Sequence, residues 1–179
     1  MGMVESWQKA EIAGPKKAFA IMKPEVVVAM VKRAKRPIMV VGHEAIGVDV
    51  EGGKLIDQAI SIAKATGMGV VATAHIVGEF VKRGFPNAVL MPALDIAKRL
   101  EDPEWKGLDG MGQYDLALVM GIPYYMEWVI LSSLKHFSNI KTISLDRYYQ
   151  PNATWSFPNL SSKDWSEDLK LITNNLGGK

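Results

Sequence analysis

The hydrophobic pattern of the chain is organised around one apolar segment near its start, residues 38–41. Four apolar residues follow Pro37 and end at Gly42, a pattern typical of a strand that is buried on both faces of a parallel sheet. In residues 54–66, apolar positions recur at spacings of three and four, which predicts an amphipathic helix that stops at Gly67. Residues 38–66 are therefore predicted to form a strand followed by a helix.

The same strand-then-helix unit repeats along the rest of the chain. Further strands are predicted at residues 69–73, 88–91, 114–121 and 141–146. Helices are predicted at residues 24–34, 76–83, 92–100 and 123–136, and a last helix follows a capping segment at residues 161–164. Alternation of this kind gives a parallel sheet with right-handed crossovers and helices on both faces. We therefore predict a three-layer α/β fold with a doubly wound, Rossmann-like parallel sheet.

Some segments depart from this simple alternation. Residues 1–23 mix apolar and lysine side chains without a period, so we interpret them as an N-terminal arm before a single nucleotide-binding-like domain at residues 24–179. The loop at residues 102–112, which contains Trp105, is long enough to be a lid or a contact. In the aromatic tail, we expect residues 153–157 to add an edge strand or to pack against the sheet. In the helix at 123–136, the side chains expected to face inward are Met126, Val129, Ile130 and Leu134.

Composition restricts the possible functions of the chain more than it restricts the possible folds. With 179 residues, 48% hydrophobic and 22% charged, the chain has the composition of one globular domain. A net charge of +2, without interleaved aromatic and basic residues, does not indicate binding of nucleic acid. No run of about eighteen apolar residues and no signal-peptide pattern occurs, so we expect a cytoplasmic chain that does not span a membrane. The absence of cysteine excludes thiolate-bound zinc and cysteine-ligated iron–sulfur clusters, so a redox role requires a borrowed cofactor.

Candidate binding residues stand where the predicted strands end. In open parallel sheets, ligands bind outside the carboxyl ends of the strands, at the point where the strand order reverses. Asp146, at the end of the last predicted strand, is either an acceptor for a ribose hydroxyl or an ordinary turn aspartate, and the sequence favours neither alternative. The candidate cofactor-binding residues at these ends are Gly42, His43, Glu44, Thr73, Ala74, His75, Gly121, Ile122, Pro123 and Asp146.

Three glycine patterns bear on phosphate binding. Residues 42–47 have the glycine spacing of a phosphate loop, but the Lys and Ser/Thr that must follow are absent, which excludes a Walker site. The dinucleotide-type string at residues 67–72 precedes a strand instead of following one, so we interpret it as a chance match. Gly52 and Gly53, at the expected start of a helix, either offer N–H groups to a pyrophosphate or are ordinary turn residues.

Metal and nucleophile chemistry are less well supported. His43, Glu44 and His75 lie at neighbouring strand ends, but a third neutral ligand and a helical His-x-x-x-His spacing are absent. We favour the alternative that these histidines bond to loop carbonyls or donate to a ligand, with no metal bound. Ser132 and Ser133 lie within a predicted helix rather than on a nucleophile elbow, so no catalytic residue is assigned.

Several segments carry a resemblance to known families. Residues 35–42 (KRPIMVVG), 70–73 (VVAT) and 112–121 (GQYDLALVMG) resemble three conserved blocks in the central domain of thiamine-diphosphate enzymes. That domain is grouped with deoxyhypusine synthase and the sirtuins as a DHS-like NAD/FAD-binding fold. Residues 42–44 and 121–125, with the chain length and the basic arm, are similar to the epsilon-subunit family of the archaeal acetyl-CoA decarbonylase/synthase complex. The second resemblance spans the whole chain.

The resemblance implies an accessory chain, bound to the large nickel and iron–sulfur carbon monoxide dehydrogenase alpha subunit in an alpha2-epsilon2 component. It implies stabilisation of that component, or electron transfer to FAD during CO oxidation, in archaeal one-carbon metabolism and methanogenesis. Catalysis by this chain alone is not indicated. The alternative is a stand-alone FAD- or NAD-binding oxidoreductase of the same fold, and the missing dinucleotide fingerprint disfavours its nicotinamide-dependent form.

Overall fold

Seven parallel strands form the central sheet of the protein. The computed structural model describes residues 14–178. The strands of the sheet are β1 (Phe19–Ala20), β2 (Pro37–Val41), β5 (Gly69–Ala72), β6 (Val89–Leu90), β7 (Leu116–Met120), β8 (Lys141–Ser144) and β9 (Trp155–Ser156). Within the described range they lie in the order β1-β9-β8-β7-β2-β5-β6, and all pairs are parallel. β3 (Asp49–Val50) and β4 (Gly53–Lys54) form a separate antiparallel hairpin.

Helices cover both faces of the sheet. They are α1 (Glu25–Arg33), α2 (Leu55–Thr66), α3 (Val77–Lys82), α4 (Ala93–Glu101), α5 (Tyr124–Phe137) and α6 (Ser162–Gly177). On one face α1, α2, α3 and α6 share a core with the sheet, in which Ile56 and Phe80 join Met39 of β2. On the other face α4 and α5 pack, and Leu131 joins Ile38. The predicted three-layer, doubly wound α/β fold is therefore confirmed. None of the helices within residues 14–178 is long and apolar enough to cross a lipid bilayer.

The position of β2 explains its apolar run. It pairs with β5 on one side and with β7 on the other, so it is an interior strand of the sheet. Ile38 and Val40 point into the core beneath α4 and α5, whereas Met39 and Val41 point into the opposite core. Because both faces are covered, each residue of the strand is apolar and no alternation of polar positions appears.

Capping interactions set where two helices begin. At the start of α2, the Lys54 N–H donates to the Asp57 carboxylate at 2.8 Å. At the start of α6, the Asp164 N–H donates to the Ser161 hydroxyl at 3.1 Å, which confirms the predicted cap. Both contacts satisfy backbone donors that a helix leaves without an acceptor in its first turn.

The expected helix start at Gly52 and Gly53 is wrong. Gly52 lies in the turn between β3 and β4 with a φ angle of +89°, and Gly53 begins β4 with a φ angle of +156°. These angles suit a tight turn and lie outside the helical region, so the residues do not present the N–H groups of a helix terminus. The ordinary alternative for this pair, a turn, is the one the structure supports.

Two short strands extend the sheet beyond β8. β9 lies within residues 153–157, so the expectation that this segment joins the sheet is confirmed. The edge position belongs to β1, which pairs with β9, and Ile21 just after β1 is buried in the core. The end of the expected N-terminal arm is thus part of the sheet, while residues 1–13 of that arm lie outside the described residues.

The loop at residues 102–112 is fixed to the body of the protein. The Trp105 ring lies 5.7 Å from the Tyr114 ring, and the Arg36 guanidinium pairs with the Asp109 carboxylate at 2.6 Å. The loop precedes β7, so it lies at the amino ends of the strands. Because ligands bind at the opposite, carboxyl ends, the expectation of a lid is wrong.

Candidate functional site

The strand order reverses between β2 and β7, and the carboxyl ends of these two strands are in direct contact. The Gly42 N–H donates to the Met120 carbonyl and the Glu44 N–H to the Gly121 carbonyl, both at 2.9 Å. A Cβ atom on Gly42 would lie 2.1 Å from the Gly121 carbonyl oxygen. Gly42 and Gly121 therefore allow two backbones to pack, and the space for a ligand lies on either side of them.

On the β5 side opens a cavity of about 450 Å³, which we name the histidine cavity. Its imidazoles, His43 and His75, belong to two exposed residues that follow neighbouring strands. The remainder of its wall is mainly apolar. The complete lining is His43, Thr73, Ala74, His75, Leu90, Pro92, Ala93, Ile122, Pro123, Tyr125 and Met126.

Two helices begin at the histidine cavity. α4 follows Pro92 and α5 follows Pro123, and neither residue caps its helix with a side chain. The first N–H groups of both helices lack intrahelical acceptors, and the positive end of each helix dipole lies at the cavity wall. On the same wall, Ala74 has φ +54° and is the only non-glycine residue within residues 14–178 with a positive φ. Backbone conformations of this kind concentrate at binding sites.

On the β8 side lies a second cavity, of about 310 Å³, which we name the acidic cavity. Its carboxyl groups come from three elements: Glu44 from the short helical turn His43–Ile46, Glu127 from α5, and Asp146 from the segment after β8. The remaining wall is formed by Val48, Ile122, Tyr124, Arg147, Tyr148, Ser162 and Trp165.

Asp146 links the acidic cavity to the contact between β2 and β7. Both of its carboxylate oxygens accept from the Gly121 N–H at 2.9 Å. Burial raises the pKa of Asp146 to about 7; the Gly121 N–H opposes this shift and the nearby Glu44 charge adds to it. The carboxyl group is therefore poised to exchange a proton near neutral pH.

Glu127 is the most deeply buried acid of the acidic cavity, with 1% of its surface exposed. Its Oε2 atom accepts from the Gln150 side-chain amide at 3.0 Å, whereas its buried Oε1 atom has no hydrogen-bond partner. Burial, followed by the Asp146 charge, raises the pKa of Glu127 well above its ordinary value. The Glu127 carboxyl group therefore holds its proton more tightly than an exposed glutamate does.

Arg147 lines the acidic cavity but does not neutralise it. Its guanidinium lies 4.6 Å from the centre of the Tyr148 ring and donates to the Tyr148 hydroxyl at 2.6 Å. Arg147 contributes to the pKa shift of neither Glu127 nor Asp146. Within residues 14–178, no group of three or more His, Cys, Asp or Glu side chains is placed to hold a metal ion.

Sequence comparison identifies the family to which this chain belongs. The family model described as CO dehydrogenase beta subunit/acetyl-CoA synthase epsilon subunit matches residues 4–173. The chain belongs to this epsilon-subunit family. Two relatives are named acetyl-CoA decarbonylase/synthase complex subunit epsilon. That of Methanothrix soehngenii is 41% identical over 157 residues, covering 87% of this chain and 81% of the relative. That of Methanothermobacter thermautotrophicus is 37% identical over 170 residues, covering 93% and 92%.

A third relative, acetyl-CoA decarbonylase/synthase complex subunit epsilon 1 of Archaeoglobus fulgidus, is 40% identical over 154 residues, or 85% of this chain and 80% of the relative. The resemblance to the epsilon-subunit family noted in the sequence is therefore confirmed. The names of these relatives describe them as subunits of a multi-subunit complex.

In this member of the epsilon-subunit family, the candidate residues divide between the two cavities. His43, Thr73, Ala74, His75 and Pro123 line the histidine cavity. A second set, Glu44 and Asp146, lines the acidic cavity, and Ile122 contributes to both. Gly42 and Gly121 stand between them.

Sequence reasoning missed several residues of the acidic cavity, chiefly Glu127, Arg147, Tyr148 and Trp165. Glu127 was overlooked because α5 is apolar on nearly every side, so its inward face is ambiguous from spacing alone. The expected inward residue Val129 is 49% exposed, whereas Leu131 is buried. An acid in the first turn of a helix that directly follows a strand end was the available signal.

Proposed function

We propose that this chain is an accessory subunit of the acetyl-CoA decarbonylase/synthase complex that binds FAD in the histidine cavity and relays electrons during CO oxidation. The observation that carries the proposal is the meeting of two uncapped helix N-termini and two imidazoles at one cavity beside the strand-order reversal. Helix N-termini of this kind favour phosphate groups, and the position is the usual one for ligands in open α/β sheets.

The residues of the histidine cavity fit the two chemical parts of FAD. Its pyrophosphate carries negative charge, which suits the N–H groups that begin α4 and α5 and the donors of His43 and His75. A flat ring would contact Leu90, Tyr125 and Met126. The acidic cavity does not fit a pyrophosphate, because its carboxyl groups would repel the anion. FAD supplies the electron-accepting ring, and the residues of this chain bind and orient it.

The partner that we propose is the large nickel and iron–sulfur carbon monoxide dehydrogenase subunit, in an alpha2-epsilon2 component. Since the chain contains no cysteine, cysteine-ligated clusters of such a complex must belong to other subunits. In the Trp105 loop, which was considered as a contact, Trp105 itself is half-buried against the body of this chain and Met111 is the one exposed large hydrophobic residue. Exposed apolar residues on α5 are a better candidate surface: Tyr125 and Phe137 are each 70% exposed.

The test is titration of the purified chain with FAD, followed by flavin fluorescence and calorimetry, with and without the large subunit. We expect micromolar binding that the partner strengthens. In the double variant His43→Gln/His75→Gln, the affinity should fall by about tenfold, because ligand hydrogen bonds are lost.

A matched control is His136→Gln, since His136 is exposed near the far end of α5 and lies outside the cavity. This variant should bind FAD like the unmodified chain. Absence of FAD binding both alone and with the partner would contradict the cofactor proposal and leave a structural subunit. Binding that the double variant does not change would place FAD elsewhere.

A further inference from the structure

The acidic cavity concentrates carboxyl groups that the described chain does not pair with a cation. Glu44 is exposed, Asp146 is half-buried, and Glu127 is almost fully buried. None of the three takes part in an ion pair within residues 14–178. Burying carboxyl groups without a cation costs free energy, so such an arrangement is favoured where a cation is to bind.

The buried oxygen of Glu127 gives this cavity an acceptor that needs a donor. Oε1 makes no hydrogen bond of standard geometry, and the Ser144 hydroxyl and the Gln150 amide offset only part of the desolvation of this carboxyl group. Arg147, the cationic residue among those that line the cavity, contacts the Tyr148 ring and hydroxyl instead. An N–H group of a ligand would supply the missing interaction.

The size and walls of the acidic cavity favour an organic cation over a metal ion. Calcium and magnesium need oxygen ligands at about 2.0–2.6 Å, and no cluster of metal-ligating side chains with that geometry occurs among the described residues. The volume of about 310 Å³ accommodates a larger group. Tyr124, Tyr148 and Trp165 add aromatic faces, which attract ammonium and guanidinium ions.

We propose that the acidic cavity binds the basic side chain, an arginine or a lysine, of another subunit of the complex. The entering cation would first meet Glu44, then Asp146, and approach the unpartnered oxygen of Glu127. Tyr124 and Tyr148 are 39% and 50% exposed, so the entrance is available to a partner surface. The assignment relies on the membership of the relatives in a multi-subunit complex. It does not depend on FAD, which we place in the other cavity.

The first test uses propylguanidinium as a probe for the cation and neutral propylurea as a control of similar shape. Each is titrated into the full chain and followed by NMR or calorimetry. At about pH 8, above the Asp146 pKa of about 7, propylguanidinium should bind about tenfold more tightly than propylurea, because only the former carries charge. Equal binding of the two probes would overturn the proposal.

The second test replaces the carboxyl groups with amides of the same shape. Glu44→Gln and Asp146→Asn should each weaken propylguanidinium binding by about tenfold, whereas Glu104→Gln should have no effect. Glu104 is an exposed control residue. It lies after α4, at the amino ends of the strands and therefore away from the acidic cavity. Circular dichroism verifies that the variants are folded, and unchanged affinity in a folded Asp146→Asn variant counts against the cavity as the site.

The pH dependence of the unmodified chain tests the site without any substitution. The charged or titratable groups that face Asp146 are Glu44, Glu127, Arg147 and the tyrosines of the wall. Burial raises the pKa of Asp146 to about 7, and the pKa of Glu127 is also raised. Propylguanidinium binding should therefore strengthen by about tenfold from about pH 6 to about pH 8, with release of protons. A flat profile would contradict the inferred role of these carboxyl groups.

A third test identifies the source of the cation. Asp146→Asn and an excess of propylguanidinium should each weaken association of this chain with the rest of the complex, because both act on the same pocket. If the isolated chain binds propylguanidinium but association resists both changes, a small free cation is the occupant and the partner assignment is wrong. FAD affinity, measured in parallel, should not change in Asp146→Asn, which separates this inference from the proposed flavin site.

Discussion

At the scale of single residues, the contact between Gly42 and Gly121 determines how the two cavities are separated. Each glycine leaves no room for a side chain: a Cβ on Gly121 would lie 2.7 Å from the Cβ of Ala45. The helical turn that carries Glu44 can therefore sit directly against the end of β7. This close backbone packing, more than any single polar contact, sets the positions of the rim residues.

The variant Gly42→Ala tests this packing. The added Cβ would meet the Gly121 carbonyl at 2.1 Å, so backbone atoms must move. We expect the free energy of unfolding in urea to fall by about 2–4 kcal/mol.

The control for this substitution is Gly78→Ala in α3. A Cβ at Gly78 would have no atom within 4 Å, and the residue lies in a helix, where alanine is preferred. This change should be neutral or stabilise by up to about 1 kcal/mol. A Gly42→Ala chain as stable as the unmodified one would contradict the packing argument.

Asp146 makes stability depend on pH in a direction opposite to that of most surface carboxyl groups. Its pKa rises from an ordinary 3.8 to about 7 on folding, so the folded chain holds the proton more tightly than the unfolded chain. The free energy of unfolding should consequently fall as pH rises through this window. In Asp146→Asn this decline should be smaller, as measured by urea unfolding at several pH values.

An exposed aspartate provides the comparison for this pH effect. The Asp49 side chain is 82% exposed, so Asp49→Asn should leave the slope of stability against pH unchanged. Identical slopes in the unmodified chain and in Asp146→Asn would show that Asp146 is not the responsible group.

At the scale of elements, α2 depends on one aspartate that serves two neighbours. Asp57 accepts from the Lys54 N–H at 2.8 Å and pairs with the Arg83 guanidinium at 2.9 Å, just after α3. It thereby closes the first turn of α2 and joins it to the end of α3. Because the backbone contact satisfies a helix donor, it contributes more to stability than the partly exposed ion pair does.

Asp57→Ala should lower the free energy of unfolding by about 1 kcal/mol, the usual cost of a lost helix cap. Thermal or urea unfolding measures the effect. Asp49→Ala, which breaks an exposed ion pair with Lys54, should change stability by less than about 0.5 kcal/mol. Equal effects of the two substitutions would indicate that the ion pairs, rather than the cap, carry the stability.

The elements that were predictable from sequence are those in which buried positions produce a local pattern of apolar residues. β2 and β7 were predictable as apolar runs, and α2 as an amphipathic repeat. The two-residue strands β1 and β3 were not, because strands this short are defined by hydrogen bonds to distant or neighbouring strands that leave no pattern in the sequence. The same reason explains the misassigned Gly52 and Gly53, whose turn depends on pairing of β3 with β4.

The position of the candidate site was predictable from the sequence, but its division into two cavities was not. Strand ends converge in any parallel sheet, so His43, His75 and Asp146 could be named from topology alone. The sequence does not reveal that Gly42 and Gly121 close the middle of the rim, since that depends on interatomic distances. It also hides Glu127, because a polar residue on an apolar helix carries no sign of which way it faces.

At the scale of the whole molecule, α5 has apolar residues on two sides. Its inner side packs on the sheet, while Tyr125, Val129 and Phe137, spaced four and eight residues apart, are exposed. Tyr125 also lines the histidine cavity together with exposed Leu90, so the apolar surface continues into that cavity. Exposed apolar surfaces of this kind mark interaction sites, so we expect this surface to be the contact with the large subunit proposed above.

Val129→Glu tests this contact by placing a charge in the middle of the exposed side of α5. We expect association with the large subunit to weaken by about tenfold or more, because the charge would be desolvated at the interface. Co-purification or gel filtration of the reconstituted component measures it. The isolated variant should remain as stable as the unmodified chain.

Leu171→Glu is the matched control for the α5 substitution. Leu171 is 40% exposed on α6, which covers the opposite face of the sheet. This variant should associate normally. Loss of association in Leu171→Glu but not in Val129→Glu would place the contact on the other face.

The pairing of β1 with β9 also constrains how the chain is made. The Tyr149 hydroxyl donates to the Ala18 carbonyl, a contact between residues 131 positions apart, and β1 can pair only after β9 has formed. During synthesis, the β2, β5 and β7 portion of the sheet can assemble while the C-terminal segment is still inside the ribosome, but the edge cannot. Contacts of such long range are slow to close. A nascent chain therefore exposes its β8 edge until β9 has left the ribosome, and chaperones have that interval in which to act.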